Sequence, residues 1–252
     1  MKLGKLPYRH DDRTLRLANY LTPQLPPPPA SVDLTHTVAT WPMYRNDQLG
    51  DCTCAAAGHM VELWSAVTGK QVTPTDSQIV TMYEKVSGYT PGDPSTDNGA
   101  VELDVLNWWR KHGLDGYKID AFALVTPSQN DNVRQALQLF DGVYLGLNLP
   151  RTAQAQIGSL WEVPPQGPYL DGAPGSWGGH AVNVAAYDQT TVTVVTWGKL
   201  QAMSWKFFNT YCDEAWALLP ANWKSRAPRG FDFAALEADL AQIGQVQRAL
   251  SV

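Results

Sequence analysis

The sequence predicts an α+β domain, with a helical half first and an antiparallel sheet half after it. Two observations carry this. Up to about residue 140, apolar residues recur at helical spacing; beyond it, short β-rich runs alternate with turn residues. A cysteine in Gly50-Asp51-Cys52-Thr53 precedes the first helical pattern, and a histidine in Gly178-Gly179-His180-Ala181 precedes a strand pattern. This order puts the two on opposite walls of a groove between the halves.

Taken in order, residues 1–30 are polar and then proline-rich. Pro23, Pro26, Pro27, Pro28 and Pro29 predict a stiff polyproline II segment, a spacer or surface strap rather than a ligand for a proline-reading partner. The first helix is expected from Asp51 as N-cap through Ala55, Met60, Val61 and Trp64 to near Gly69. Thr75 and Gln78 form a capping-box pattern for a second helix bearing Ile79, Met82, Tyr83 and Val86. Residues 89–99 are turn formers. A third helix carries Val101, Val105, Trp108 and His112 on one face and stops at Gly113; a fourth covers about 130–140. Strands are expected at 143–149, 180–187, 191–197 and 215–219, the middle two joined by a turn at Asp188-Gln189. Leu236, Leu240, Ile243 and Leu250 mark an amphipathic C-terminal helix, which docks on the domain or pairs with a partner. The divisions are therefore 1–30, 31–220 and 221–252.

Of the 252 residues, 44% are hydrophobic and 17% charged, enough apolar side chain for a substantial core. A net charge of −5 argues against nucleic-acid binding, which needs a clustered basic face. No apolar run reaches the roughly 18 residues of a membrane span, and no signal peptide is visible. Three cysteines leave at least one thiol unpaired in the monomer, which favours a reducing compartment or export without a signal. A cytoplasmic or virion-associated location is the expectation.

A thiol at a helix N-terminus ionises readily, and an imidazole at the mouth of a strand can accept and return its proton. Together they are the minimum equipment for acyl transfer through sulfur. Cys52 competes with Cys54 for the role. Cys52 is preferred because it falls in the first helical position, against unpaired N–H groups, while Cys54 would be buried in the first turn. Asp51 opposes thiol ionisation unless its carboxylate is spent on capping. Of the five histidines only His180 opens a strand, and none has metal-ligand spacing; no metal or cofactor is expected.

With these residues in view, the chain resembles the papain-like cysteine peptidases, and more closely their bacterial and phage relatives. Pro29–Leu34 resembles the start of that mature domain, and Asn46–Thr53 its cysteine block. Asp97-Asn98-Gly99 resembles the wall beside the non-prime subsites, Gly179–Val182 the histidine strand, and Thr196-Trp197-Gly198 the Asn-Ser-Trp-Gly motif. The resemblance covers roughly residues 30–219. It implies a peptide or protein substrate, Cys52 as nucleophile and His180 as general base. It places an oxyanion-hole amide at Asn46, where a turn-holding role is the alternative. The asparagine that orients the imidazole would fall at Val195, which has no polar group; Thr196 is adjacent and can serve if a bulge permits. Trp177 and Trp197 would roof the histidine, and Gly99 would admit a substrate backbone. Because residues 1–30 are short and proline-rich rather than helical, no inhibitory propeptide is expected. Two further readings stay open: a non-catalytic structural or binding module, such as a phage particle component, and an amide acyl transferase.

Overall fold

The computed structural model describes residues 1–221 and 230–249, with side chains to residue 244. Its centre is a mostly antiparallel sheet of eight strands: β1 (Leu15–Arg16), β2 (Val32–Asp33), β3 (Ile119–Leu124), β4 (Val143–Leu149), β5 (Gly178–Tyr187), β6 (Thr191–Thr196), β7 (Lys199–Ser204) and β8 (Cys212–Pro220). The order across it is β1-β3-β8-β4-β5-β6-β7, with β2 on β5. Six helices flank it: α1 (Cys52–Val67), α2 (Asp76–Ser87), α3 (Glu102–His112), α4 (Asn130–Phe140), α5 (Trp205–Tyr211) and α6 (Phe233–Ala249).

Strand alternation assigns the faces. Tyr144, Ala181, Trp216 and Leu218 point into the core built by α1, α2 and α3. Leu145, Val182, Ala217 and Leu219 point the other way, into a core closed by side chains of α4, α5 and α6. Fully covered on both faces, β4 and β5 read as near-continuous apolar runs and not as alternating ones. Helix α1 is buried almost all round, so its sequence shows little amphipathic contrast; Trp64 anchors it through Nε1 to the Phe140 carbonyl at 2.7 Å.

The Thr75–Gln78 capping box forms with both reciprocal bonds. Helix α3 occupies the expected span and ends before Gly113. Leu103, Val105, Leu106 and Trp109 are buried, while Trp108 stacks on His112 at 4.7 Å on the outer side. Four strands and one helix were not legible: β1, β2, β3 and β7, and α5, which Ser204 caps by accepting from the Phe207 N–H. Within the N-terminal segment, β1 forms the edge of the sheet, parallel to β3, and Leu17 and Tyr20 are buried. Leu236 of α6 is buried against the sheet's second core; Leu250 lies outside the described residues. Among the described residues no helix is long and apolar enough to cross a membrane.

Candidate active site

The first turn of α1 and the start of β5 meet in one place. Tyr144 of β4 fixes the helix start by donating its hydroxyl to the Thr53 carbonyl at 2.8 Å. Cys52 is the first residue of the helix, and its Sγ accepts from the Ala181 N–H, next to His180, at 3.4 Å. Cys54 lies within the helical core, its sulfur contacted by the Thr53 hydroxyl. Position therefore separates the two thiols: only Cys52 sits against the histidine strand.

His180 is fixed on two sides. Its Nε2 is 2.6 Å from Thr196 Oγ1, and its Nδ1 has no hydrogen-bond partner. The partner expected at Val195 is thus replaced by the next residue. Strands β5 and β6 pair with a register shift between Val184 and Ala186, which realigns the end of β6 against β5. Trp197 stacks on the imidazole at 4.3 Å and 17°, and Trp177 lies against Trp197 at 5.5 Å. Trp197 and Gly198 form the two-residue turn between β6 and β7, both with positive φ, 46° and 69°. This is the twist such hairpins favour, but in a tryptophan it costs on the order of 1–3 kcal/mol. The strain holds the indole flat over the ring.

Two expectations are corrected here. The Asn46 amide donates to the Leu49 carbonyl and to Asp51 Oδ1, both at 3.1 Å. Both its N–H groups are spent on the loop before α1, so Asn46 holds that loop and offers nothing to an oxyanion. Its side chain is one methylene shorter than glutamine's and closes on its own turn. The backbone N–H of Cys52, in the first helical turn, remains the available donor. Asp51 is the N-cap by position, but its side chain caps nothing. Burial, only partly offset by Asn46, pushes its carboxyl up to about 8. Near neutral pH it is largely protonated, which removes the negative charge expected to oppose the thiolate.

The second correction concerns the N-terminal segment. Residues 2–6 fill the groove over Cys52. The Leu6 N–H donates to the Ala100 carbonyl at 2.9 Å, and the Ala100 N–H to the Gly4 carbonyl at 2.8 Å. Lys5 N–H donates to the Gly179 carbonyl at 3.1 Å. The Lys2 N–H donates to the Asn46 carbonyl at 2.9 Å, Trp197 Nε1 donates to the Lys2 carbonyl at 3.2 Å, and Lys2 Nζ pairs with Asp97. This pairing needs only extended backbone with a glycine at position 4, so a helix is not required for it. Gly99, at φ 80°, faces this strand; a Cβ there would come within 2.1 Å of the Gly4 carbonyl oxygen. At Gly4 a Cβ would come within 1.8 Å of the Gly50 carbonyl oxygen.

The covered site is electrically quiet. Burial pushes the Cys52 thiol up to about 12, despite N–H donors from Ala181 and Gly4. Burial likewise holds His180 neutral, pulling it down to about 3. Sulfur and imidazole make no hydrogen bond in this closed arrangement. Sequence reasoning missed a further buried cluster beside the groove: Lys5 with Asp213, Glu214 and Glu102. The available signal was the acidic pair Asp213-Glu214 directly before the apolar run Ala215–Leu219.

This sheet, with a cysteine helix on one face and a histidine strand at its centre, is the fold of the papain-like cysteine peptidases. No family model and no curated protein sequence matches the chain. Solved structures do. Xylellain, a cysteine protease from Xylella fastidiosa, superposes with a TM-score of 0.64 at 16% identity, covering 86% of this chain and 95% of that one. A procathepsin B from Trypanosoma congolense gives 0.57 at 14%, over 88% and 87%. Bromelain from Ananas comosus gives 0.53 at 14%, over 76% and 99%. At such identities the likeness is one of fold.

Proposed function

We propose that the chain is a cysteine peptidase or amide hydrolase working through Cys52 and His180, held latent by residues 2–6. The observation that supports this most is the paired placement of the two groups. A thiol in the first turn of α1 touches the strand residue next to an imidazole whose Nδ1 has no other partner. For Nδ1 to act as base, Nε2 must carry the hydrogen and donate it to Thr196 Oγ1, which fixes the tautomer.

Once the groove opens, water and substrate replace the N-terminal strand, and the burial that suppresses both charges is relieved. The thiolate then attacks the substrate carbonyl. The Cys52 N–H stabilises the oxyanion, and the imidazolium protonates the leaving amine. His180 next activates a water that releases the acyl group and regenerates the thiol. Trp197 limits tilting of the ring through both proton transfers.

The spent amide of Asn46 favours a second reading, a peptide-binding module that has lost turnover. The test is labelling by a peptidyl thiol-directed reagent and hydrolysis of a broad peptide library, both on a chain opened at Gly4. Labelling that Cys52→Ala abolishes and Cys54→Ala leaves intact supports the proposal. Stoichiometric labelling with no turnover of any peptide refutes it in favour of the module.

A further inference from the structure

The groove holds a ligand-like strand, and its middle side chain enters a built pocket. Lys5 Nζ lies 2.8 Å from Asp213 Oδ2 and 2.8 Å from Glu214 Oε1, its side chain wholly buried. Glu102 is wholly buried beside them and shares the Trp216 indole N–H with Glu214, at 2.9 and 3.1 Å. Three carboxyl groups surround one ammonium, and Glu102 Oε1 has no hydrogen-bond partner. The pocket therefore carries more acceptor capacity than Lys5 uses. The carboxyl charges hold the Lys5 ammonium protonated against the pull of burial.

Room for the lysine stem comes from Gly146 on β4. A Cβ built there would come within 2.1 Å of Lys5 Cε and 2.5 Å of Glu214 Cγ. The pocket opens on the groove one residue from Gly4, whose N–H donates to the Gly179 carbonyl at 3.2 Å, on the strand whose Ala181 N–H reaches the Cys52 sulfur. Any extended peptide lying between Ala100 and Gly179 sends a side chain into this same space, because successive side chains of a strand alternate between fixed directions.

We propose that Glu102, Asp213, Glu214 and Gly146 form a lysine-selective subsite of the groove, which Lys5 fills when it is closed and a lysine of the substrate peptide fills when it is open. This rests on the peptidase reading above. A neutral side chain of equal length leaves the buried carboxyl groups unpaired, and an acidic one is repelled. Selection is therefore by charge at one position of the peptide.

The test uses the full chain carrying Gly4→Val and Lys5→Ala, which expels the strand and leaves the pocket walls intact, its folding checked by a cooperative melt. Should that variant fail to fold, Lys5→Ala alone is used, with the resident strand as competitor. Binding of a peptide matching residues 1–8 is measured by calorimetry with lysine, norleucine or glutamate at position 5. Cleavage is measured in a library randomised at the four residues before the scissile bond. The expectation is lysine favoured over norleucine by about tenfold or more in both assays, the scale of a charge-assisted hydrogen bond. Glu214→Gln or Gly146→Ala should erase the preference. Equal binding of the lysine and norleucine peptides overturns the subsite. Preference in binding without preference in cleavage also overturns it, since the pocket would then serve only the resident strand. Preference in binding with no cleavage and no Cys52 labelling refutes the peptidase reading instead and leaves a lysine-selective peptide site.

Discussion

Replacing Gly4 by valine should unlatch the groove. The closing strand is held by about five backbone or indole bonds, to Ala100, Gly179, Asn46 and Trp197, besides the Lys5 ion pairs. At roughly 1 kcal/mol net for each hydrogen bond, the closed form is favoured by about 5 kcal/mol, an open fraction near 1 in 10³–10⁴. The ion pairs add to this, but three carboxyl groups confined together in the open form offset part of their gain. A valine Cβ would sit 1.8 Å from the Gly50 carbonyl oxygen, a backbone atom fixed by the turn before α1. The strand must leave, and the closed form's advantage is lost. Alkylation of Cys52 by iodoacetamide at pH 7.5, followed by intact-mass spectrometry, reports the open fraction because the covered thiol is inaccessible. The rate should rise by about 10³ in Gly4→Val, with Cys54 unlabelled in both proteins. Equal rates would show that residues 2–6 do not control access, and the latent state would fall with them.

In the opened background, Thr196→Val removes the acceptor that stabilises protonated His180. It should lower kcat/KM about tenfold and shift the alkaline limb of the pH profile, where the imidazolium loses its proton, to lower pH, while Thr196→Ser restores both. An unchanged pH profile would leave Thr196 a packing residue. Asp51 is a linkage test. Its carboxyl rises from 3.8 to about 8 on folding, so above pH 4 the folded chain keeps a proton that the unfolded chain releases. That group's contribution to stability is present below about pH 4 and lost as pH rises to about 8, at roughly 1.4 kcal/mol per pH unit. Asp51→Asn should therefore gain stability relative to the parent between pH 5 and 8 in urea melts, and parallel pH curves would contradict the buried neutral carboxyl.

How much of this was legible depends on whether a residue answers to its neighbours in sequence or in space. Helix α2 was readable because Thr75 and Gln78 cap it within four residues, and β4 because its apolar run ends at Pro150. Strand β3 was not, because Ile119–Leu124 alternates only weakly and is a strand by virtue of pairing with β8. For α3 the helical spacing of Val101, Val105, Trp108 and His112 marked the element, but the width of its buried face, which also takes in Leu103, Leu106 and Trp109, is set by packing against α1, α2 and β3. At the site, Cys52 and His180 stood out through their flanking glycines and their positions opening a helix and a strand. Thr196 required a register shift that no local pattern announces, and Asn46 required knowing that Asp51 would be buried and in need of a donor. The strand Leu3-Gly4-Lys5 has no signal of its own; its meaning comes wholly from Gly99, Gly179 and the carboxylates across the groove.

On the proposed peptidase reading, the same residues that close the groove also keep the chemistry of Cys52 and His180 off. A thiolate–imidazolium pair needs two charges solvated at once, and the closed strand withdraws water from both, so that burial is the largest influence holding thiol and ring neutral. The carboxyl groups of Asp51 and Glu102 act on the thiol in the same direction, and His59 on the ring, each less than burial does. Opening therefore does two things in one motion: it admits the peptide, and it restores the hydration that lets the pair ionise. A strand that merely blocked access while leaving the site wet would keep a reactive thiolate ready for any small oxidant. Burying Cys52 under the closing strand while Trp197 stacks on His180 and donates to the Lys2 carbonyl avoids that, and the close approach of Gly4 to the Gly50 carbonyl leaves no room for a side chain there.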